Sequence, residues 1–200
     1  MRLLESNKLR LDTDEHTRHP WHISSIVEDF DLVDAWTIPV SGDAHDFPKL
    51  QRLFLETDLA STGRMTSALF TVRGWLGGRP KPSTGHNARP IPGCTETSLQ
   101  ERLPDDLAPA TNTGQRPPFR AVFFTDREYT AEYSSGLVHA ALHLGWVQEQ
   151  KTDRYRGQLA VYVKHRNHYG PLYMTAIAPF RHHIVYPTIL KRLGRTWDSQ

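Results

Sequence analysis

Apolar and polar residues alternate in several short stretches of the chain, and this period of two predicts β-strands. Asp29–Val40 is the clearest of them in the first half, because Phe30, Leu32, Asp34, Trp36 and Ile38 fall on one side and a proline and a glycine follow. Five more short stretches, rich in β-branched and aromatic residues, follow in the second half and are also predicted as strands. They are residues 119–124, 129–134, 137–147, 155–164 and 172–177.

Other segments repeat their apolar residues at intervals of three and four, which is typical of amphipathic helices. Asp46–Ala60 and Arg64–Leu76 show this spacing and predict two consecutive helices after the first strand. A long terminal helix is predicted from Pro179 onward, with an apolar stripe that ends at Trp197. Pro187 interrupts that stripe, and since proline lacks the N–H of a helical hydrogen bond, we expect a kink near Tyr186.

Gly77–Pro118 has a different character, since it holds 13 of the chain's 27 glycine and proline residues. We interpret it as an irregular insert and a candidate lid. Only Thr97–Leu107 within it predicts order, as a short helix capped by Thr97 or Ser98. Residues 1–18 are dense in charge and are interpreted as an N-terminal arm. Residues 19–200 then form a single domain that contains the insert.

Strands in succession, separate from the helices, predict an α+β fold with an antiparallel sheet. The formal charge of +2 and the lack of a Lys/Arg block give no indication of nucleic-acid binding. No stretch approaches the ~20 apolar residues of a membrane helix, so no membrane partner is expected. The single cysteine, Cys94, excludes an internal disulfide and fits a cytoplasmic protein. Its place inside the insert does not predict a reactive thiol.

Several motifs in this order resemble a known family. They are Thr17-Arg18-His19-Pro20-Trp21, the segment from Val138-His139 to His143-Leu144-Gly145-Trp146-Val147, Tyr155-Arg156-Gly157-Gln158-Leu159-Ala160-Val161, and Pro179-Phe180-Arg181-His182 with Ile184-Val185-Tyr186-Pro187. They resemble a bacterial domain-of-unknown-function family of the START/Bet v 1-like (SRPBCC) superfamily, which also occurs behind Rossmann domains in some short-chain-dehydrogenase-like proteins. The resemblance implies a helix-grip fold, in which a curved sheet wraps a long C-terminal helix around a hydrophobic ligand cavity. No Rossmann domain is present here, so no cofactor is expected.

His139, His143, Glu132 and Arg181 are the candidate catalytic residues. On a strand, the two histidines share a face but lie roughly 13 Å apart, too far to share a metal ion. Each could instead serve as an acid–base group, as could a carboxylate facing an apolar cavity. The alternatives are structural: both histidines point away from the apolar face of their strand, and Arg181 pairs with Asp126 or Glu132 to fix the helix to the sheet.

Aromatic residues that could line a ligand pocket are spread along the chain. The candidate ligand-binding residues are Trp36, Trp75, Tyr133, Trp146, Tyr162 and Tyr173, together with His182. At these spacings such residues are also ordinary core. The function expected is a cofactor-independent cyclase, dehydratase or isomerase acting on a hydrophobic, polyketide- or lipid-like molecule. The alternatives are a non-catalytic carrier or sensor and an interaction domain without a pocket; a homodimer is possible.

Overall fold

The computed structural model describes residues 9–56, 97–110, 119–134, 137–150 and 152–199. The helices in these ranges are α1 (Thr13–Thr17), α2 (Ile23–Ile26), α3 (Phe47–Glu56), α4 (Tyr169–Phe180) and α5 (Tyr186–Asp198). The strands are β1 (Asp31–Gly42), β2 (Arg120–Phe124), β3 (Glu128–Ser134), β4 (Val138–Gln148) and β5 (Tyr155–His165). The predicted second helix at 64–76 and most of the insert lie outside the described residues.

The five strands form one antiparallel sheet in the order β1-β5-β4-β3-β2. Hairpins join β2 through β5, so neighbours in the chain are neighbours in the sheet. β1 closes the other edge by pairing with β5. The structure is therefore α+β with an antiparallel sheet, as the alternating patterns predict.

One prediction is wrong in the C-terminal helical segment, by which we mean residues 169–198. Residues 172–177 are not a strand but part of α4, which continues through a π-helical turn (Arg181–Val185) into α5. Pro171 lies in the first turn of α4, where the missing N–H costs no hydrogen bond. The π-helical turn passes into α5 at Tyr186, the position of the expected kink, and the N–H of Tyr186 binds the carbonyl of Arg181. Pro187 lies in the first turn of α5, where a missing N–H costs no helical hydrogen bond.

The helix face of the sheet, which bears Trp36, Leu144 and Leu159, is covered by α3 and α5. The buried residues of this layer include Phe47, Leu50, Ile189, Leu193 and Trp197. A bulge at Val33 changes the side to which β1 points, so that Leu32 packs on the opposite layer while Asp34 faces the helices. The expected single face from Phe30 to Ile38 is therefore divided in two.

The opposite side of the sheet, the strap face, is covered by residues 9–30, which we call the N-terminal strap. Its side chains Trp21, Ile23 and Ile26 are buried against Ala141, Ala160 and other strap-face residues. Trp21 lies so close to β4 that a Cβ on Gly145 would be 2.6 Å from its ring. The 3₁₀ turn Leu99–Arg102, capped by Ser98 as predicted, completes this layer. The described part of the predicted arm is thus packed on the domain.

None of the helices in the described ranges combines the length and apolar character that a membrane crossing requires.

Candidate functional site

The middle of the helix face is not fully covered. β4 is the central strand of the sheet, yet its residues Ala140 and Leu142 keep partial exposure on this face. Met174 of α4 likewise packs against the core without being buried. Beyond Leu142 the same strand is fully buried at Leu144 and Trp146. Within the described residues, the apolar area at Ala140 and Leu142 is therefore only partly covered.

A fully buried carboxylate, Asp34, lies on the same face of the sheet. Its Oδ1 accepts a hydrogen bond from Nε2 of His182 at 2.6 Å, and its Oδ2 accepts one from the hydroxyl of Tyr186 at 2.8 Å. Nη1 of Arg181 is 3.3 Å from Oδ2. We call these four residues the Asp34 cluster. A buried carboxylate is costly without partners, and the two hydrogen bonds and the ion pair offset that cost.

Aromatic rings hold this cluster in place. The indole of Trp36 lies 5.0 Å from the ring of Tyr186 and 6.0 Å from that of His182. Burial, and then the adjacent Asp34 carboxylate, raise the pKa of Tyr186 well above its ordinary value. Tyr186 is therefore a neutral hydrogen-bond donor at all physiological pH values.

His182 has the arrangement of an acid–base group. With Nε2–H donated to Asp34, a neutral imidazole leaves Nδ1 as the proton acceptor. No hydrogen bond to Nδ1 occurs in the part of the chain that the structure describes, and 22% of the side chain is exposed. The residue lies in the π-helical turn, a distortion that is frequent at functional sites. The cluster can thus orient a histidine base on the same face of the sheet as Ala140 and Leu142.

A second set of buried polar groups lies on the strap face. Glu132 is 2% exposed and accepts hydrogen bonds from the N–H of Leu99 (2.9 Å), the hydroxyl of Ser98 and Nε of Arg120. Nε2 of His139 is 3.1 Å from the same carboxylate. Burial would raise the pKa of Glu132, but His139, the Leu99 N–H, Ser98 and Arg120 outweigh it and hold that pKa below its ordinary value.

Glu128, four residues earlier on β3, repeats this arrangement. Its Oε1 accepts hydrogen bonds from the backbone N–H of His22 (3.0 Å) and from Nδ1 of the same residue (2.6 Å). Its Oε2 is 3.2 Å from Nε2 of His143. Burial would raise the pKa of Glu128, but His143 and then His22 lower it below its ordinary value. Each glutamate thus joins a covering segment to a buried histidine of β4.

The four candidate catalytic residues therefore do not share one cavity. His139, His143 and Glu132 lie on the strap face, whereas Arg181 lies on the helix face. The histidines do point away from the apolar face of β4, as the structural alternative predicts, but the covering layer buries them completely. Arg181 pairs with Asp34 rather than with Asp126 or Glu132, and Glu132 binds Arg120 instead.

The candidate aromatic residues are likewise divided. Trp36 and Tyr133 belong to the helix face, Trp146 is buried in its core, and Tyr162 is buried on the strap face. Tyr173 is half-buried on α4, and Trp75 lies outside the described residues. Sequence reasoning missed Asp34 and Tyr186 as site residues. For Asp34 the sequence does contain a signal, since it is a carboxylate on the otherwise apolar side of a predicted strand. Tyr186 lies in one of the motifs that carry the family resemblance.

An open groove of about 440 Å³ occurs at another position, beside the C-terminal end of α5. It is lined by Thr37–Ser41 of β1, by Arg154 and Arg156, and by Glu149, Trp197 and Asp198. Because this lining mixes both charges, it favours no single class of ligand. Among the described residues, no group of three histidine, cysteine or acidic side chains could hold a metal ion.

The protein is therefore an α+β protein in which a buried carboxylate connects the C-terminal helical segment to the sheet. A family model, described as protein of unknown function (DUF2867), matches residues 26–188. The chain belongs to this family. The matched range contains the whole Asp34 cluster, but it omits His16 and His22 of the strap. No curated protein and no solved structure matches the chain.

Proposed function

We propose that the protein is a cofactor-independent enzyme of the cyclase, dehydratase or isomerase type, acting on a hydrophobic small molecule of polyketide- or lipid-like character. The ligand lies against Ala140 and Leu142, in the manner of a helix-grip protein. The observation that carries this proposal is the pairing of His182, partly exposed, with the buried carboxylate of Asp34 on the same face as that apolar area. A base fixed beside an apolar surface is what proton transfer from a carbon atom requires.

The residues of the Asp34 cluster have separate roles in this proposal. Nδ1 of His182 takes a proton from the substrate, and Asp34 holds the ring in the correct tautomer and stabilises the imidazolium. In an isomerisation the same proton returns to another atom of the substrate, so that no further reactant is needed. In a dehydration it leaves with the hydroxyl group as water. Tyr186 and Arg181 act through Asp34 as positioning residues, since both bind its Oδ2.

The second candidate is a carrier or sensor that binds the same molecule without converting it. The contacts of Asp34 favour this second candidate. Three residues of the C-terminal helical segment bind the same carboxylate, and such contacts also connect that segment to the sheet. In that case the apolar area alone is functional and His182 is a structural residue.

Metabolite profiling of the His182→Gln variant tests the enzyme proposal. Gln places an amide N–H where Nε2–H lies, so the bond to Asp34 is kept while the base at Nδ1 is lost. We expect the unmodified protein to deplete a hydrophobic compound from a bacterial lipid extract and to form an isomer, or a product lighter by one water. His182→Gln is expected to lower this conversion at least 100-fold, within the range that general acid–base catalysis contributes.

The matched control is His183→Gln, which changes the neighbouring, exposed histidine of the same turn. Full activity in this control and none in His182→Gln supports the enzyme. Equal conversion by both variants contradicts it. The proteins are also analysed by mass spectrometry after gel filtration. If all three retain one compound and none converts it, the protein is a carrier or sensor and not an enzyme.

A further inference from the structure

The N-terminal strap is attached to the sheet by polar contacts as well as by its buried apolar side chains. Its first residues pair with the edge strand, where the N–H of Leu11 binds the carbonyl of Ala35 at 2.9 Å and that of Thr37 binds Leu9 at 2.7 Å. Further along, Nδ1 of His16 binds Oε1 of Gln158 at 2.8 Å. His22 then binds Glu128 of β3, and Asp29 near the end of the strap accepts a hydrogen bond from Lys164 of β5. Its docking therefore depends on the protonation state of the groups beneath it.

Two fully buried histidines, one on each side of this interface, face each other. The rings of His16, from the strap, and His143, from β4, have centroids 5.3 Å apart, and the indole of Trp21 contacts both. Each ring already uses one nitrogen, His16 for Gln158 and His143 for Glu128. The other nitrogens, Nε2 of His16 and Nδ1 of His143, are buried with no hydrogen-bond partner within the described ranges.

An additional proton on either ring is unfavourable in this arrangement. A protonated imidazole donates from both nitrogens, and here the second N–H would point at no acceptor. Two protonated rings at this separation would also repel each other. Burial, and then His143, lower the pKa of His16 to about 3 from an ordinary 6.5. Burial lowers the pKa of His143 too, although Glu128 partly opposes the effect.

None of the other charged and titratable groups described around the two histidines offers an acceptor for such a proton. Glu128 of β3 faces both rings, but it already binds His22 and His143. From β5 the neighbours are Gln158 and Tyr162, and burial raises the pKa of this tyrosine, which keeps it neutral. On the strap itself, His19 lies near Glu15 and Arg156, which pair with each other.

We propose that the strap is an acid-released cover, whose opening between pH 6.5 and 5 takes up protons on His16 and His143 and exposes the strap face around Glu128 and Thr130. This is independent of the proposed reaction, since both histidines lie on the other side of the sheet. The docked pKa of each histidine is below its free value. Docking is therefore fully favourable above pH 6.5 and weakens as the pH falls.

The expected size follows from the number of protons. Each proton taken up on opening changes the opening equilibrium tenfold per pH unit. Two histidines therefore raise the open fraction by at most about 100-fold per unit below pH 6.5. Hydrogen exchange measures this change directly, as protection factors corrected for the intrinsic pH dependence of amide exchange.

The experiment compares the full chain at pH 7.5, 6 and 5. We expect protection in residues 9–30 to fall by more than about tenfold and at most about 100-fold per unit below pH 6.5, while β4 and β5 stay protected. In His16→Asn, which keeps an N–H toward Gln158 but cannot be protonated, the dependence is expected to fall to about tenfold per unit. His45→Gln, at an exposed histidine, is the matched control and leaves it unchanged.

Equal strap protection at pH 7.5 and 5 would overturn the proposal, and so would loss of protection in strap and sheet together. If His16→Asn fails to dock at pH 7.5, histidine ¹³C resonances of the unmodified protein decide. Protonation of His16 and His143 that occurs only as strap protection is lost supports an acid-released cover. Protonation of both near pH 6.5 with the strap still protected contradicts it.

Discussion

Replacement of Asp34 with alanine is expected to lower the free energy of unfolding by about 3–5 kcal/mol, the cost typical of breaking a buried ion pair. The carboxylate is completely buried and is the shared acceptor for His182, Tyr186 and Arg181. Its removal leaves the buried Tyr186 hydroxyl and the largely buried guanidinium of Arg181 without this partner. Since whole domains are stable by only about 5–15 kcal/mol, urea denaturation should show a large shift of the midpoint.

Asp31→Ala is the matched control, because Asp31 begins the same strand but is exposed. It is expected to change the unfolding free energy by less than about 0.5 kcal/mol. Tyr186→Phe, which removes a single donor, should cost about 1–2 kcal/mol. If Asp34→Ala is no more destabilising than Asp31→Ala, then the Asp34 cluster does not hold the C-terminal helical segment to the sheet.

The second large effect is expected from Glu132→Ala. This change removes the acceptor shared by the Leu99 N–H, Ser98, Arg120 and His139 and frees the 3₁₀ turn from β3. We expect a loss of about 3 kcal/mol, at the lower end for buried pairs because Arg120 is partly exposed. Since the pKa of Glu132 is lowered in the folded protein, this stabilisation is complete above about pH 4.5 and is lost as the pH falls further.

Glu101→Ala provides the comparison for Glu132, since Glu101 lies exposed in the same 3₁₀ turn. The unfolding free energies of the two variants at pH 7 are compared. Their difference is the effect of losing the buried acceptor, because both variants lose one negative charge. A loss below about 1 kcal/mol for Glu132→Ala would mean that this carboxylate is stabilised no better in the folded chain than in water.

Much of the sheet could be predicted, because its strands show a strong period of two. The prediction of residues 155–164 agrees closely with β5, and that of residues 137–147 agrees with β4. In both strands one face is almost wholly apolar, which makes the register clear. The capping role of Ser98 was also predictable, since a serine hydroxyl before a short helix has few other uses.

Two errors have local causes. Residues 172–177 are short, apolar and partly β-branched, and such a run fits a strand or a helix equally well when no polar residue marks a period. Pro171, just before this run, lies in the first turn of α4. The bulge at Val33 cannot be deduced from alternation, because Leu32 and Asp34 keep a spacing of two in the sequence although the bulge turns them to opposite faces.

The candidate site was predicted only in part. Arg181 and His182 were identified from their place near the C-terminal helix, but their partner Asp34 is nearly 150 residues away and only the folded sheet brings it to them. For His139 and His143 the sequence leaves two alternatives open, an acid–base group in the cavity or a position away from the apolar face. No local pattern tells which face of a strand a covering segment will bury, and the strap buries both histidines on the other side.

A crystal structure of the protein as purified from a bacterial host would show whether the helix face binds a ligand. We expect electron density for a small, largely apolar molecule against Ala140 and Leu142, with one of its atoms in contact with Nδ1 of His182. The contrary result is a helix face on which the chain's own side chains cover Ala140 and Leu142 and a protein group binds Nδ1 of His182. That result would leave the Asp34 cluster as a structural connection and remove the basis for both the enzyme and the carrier.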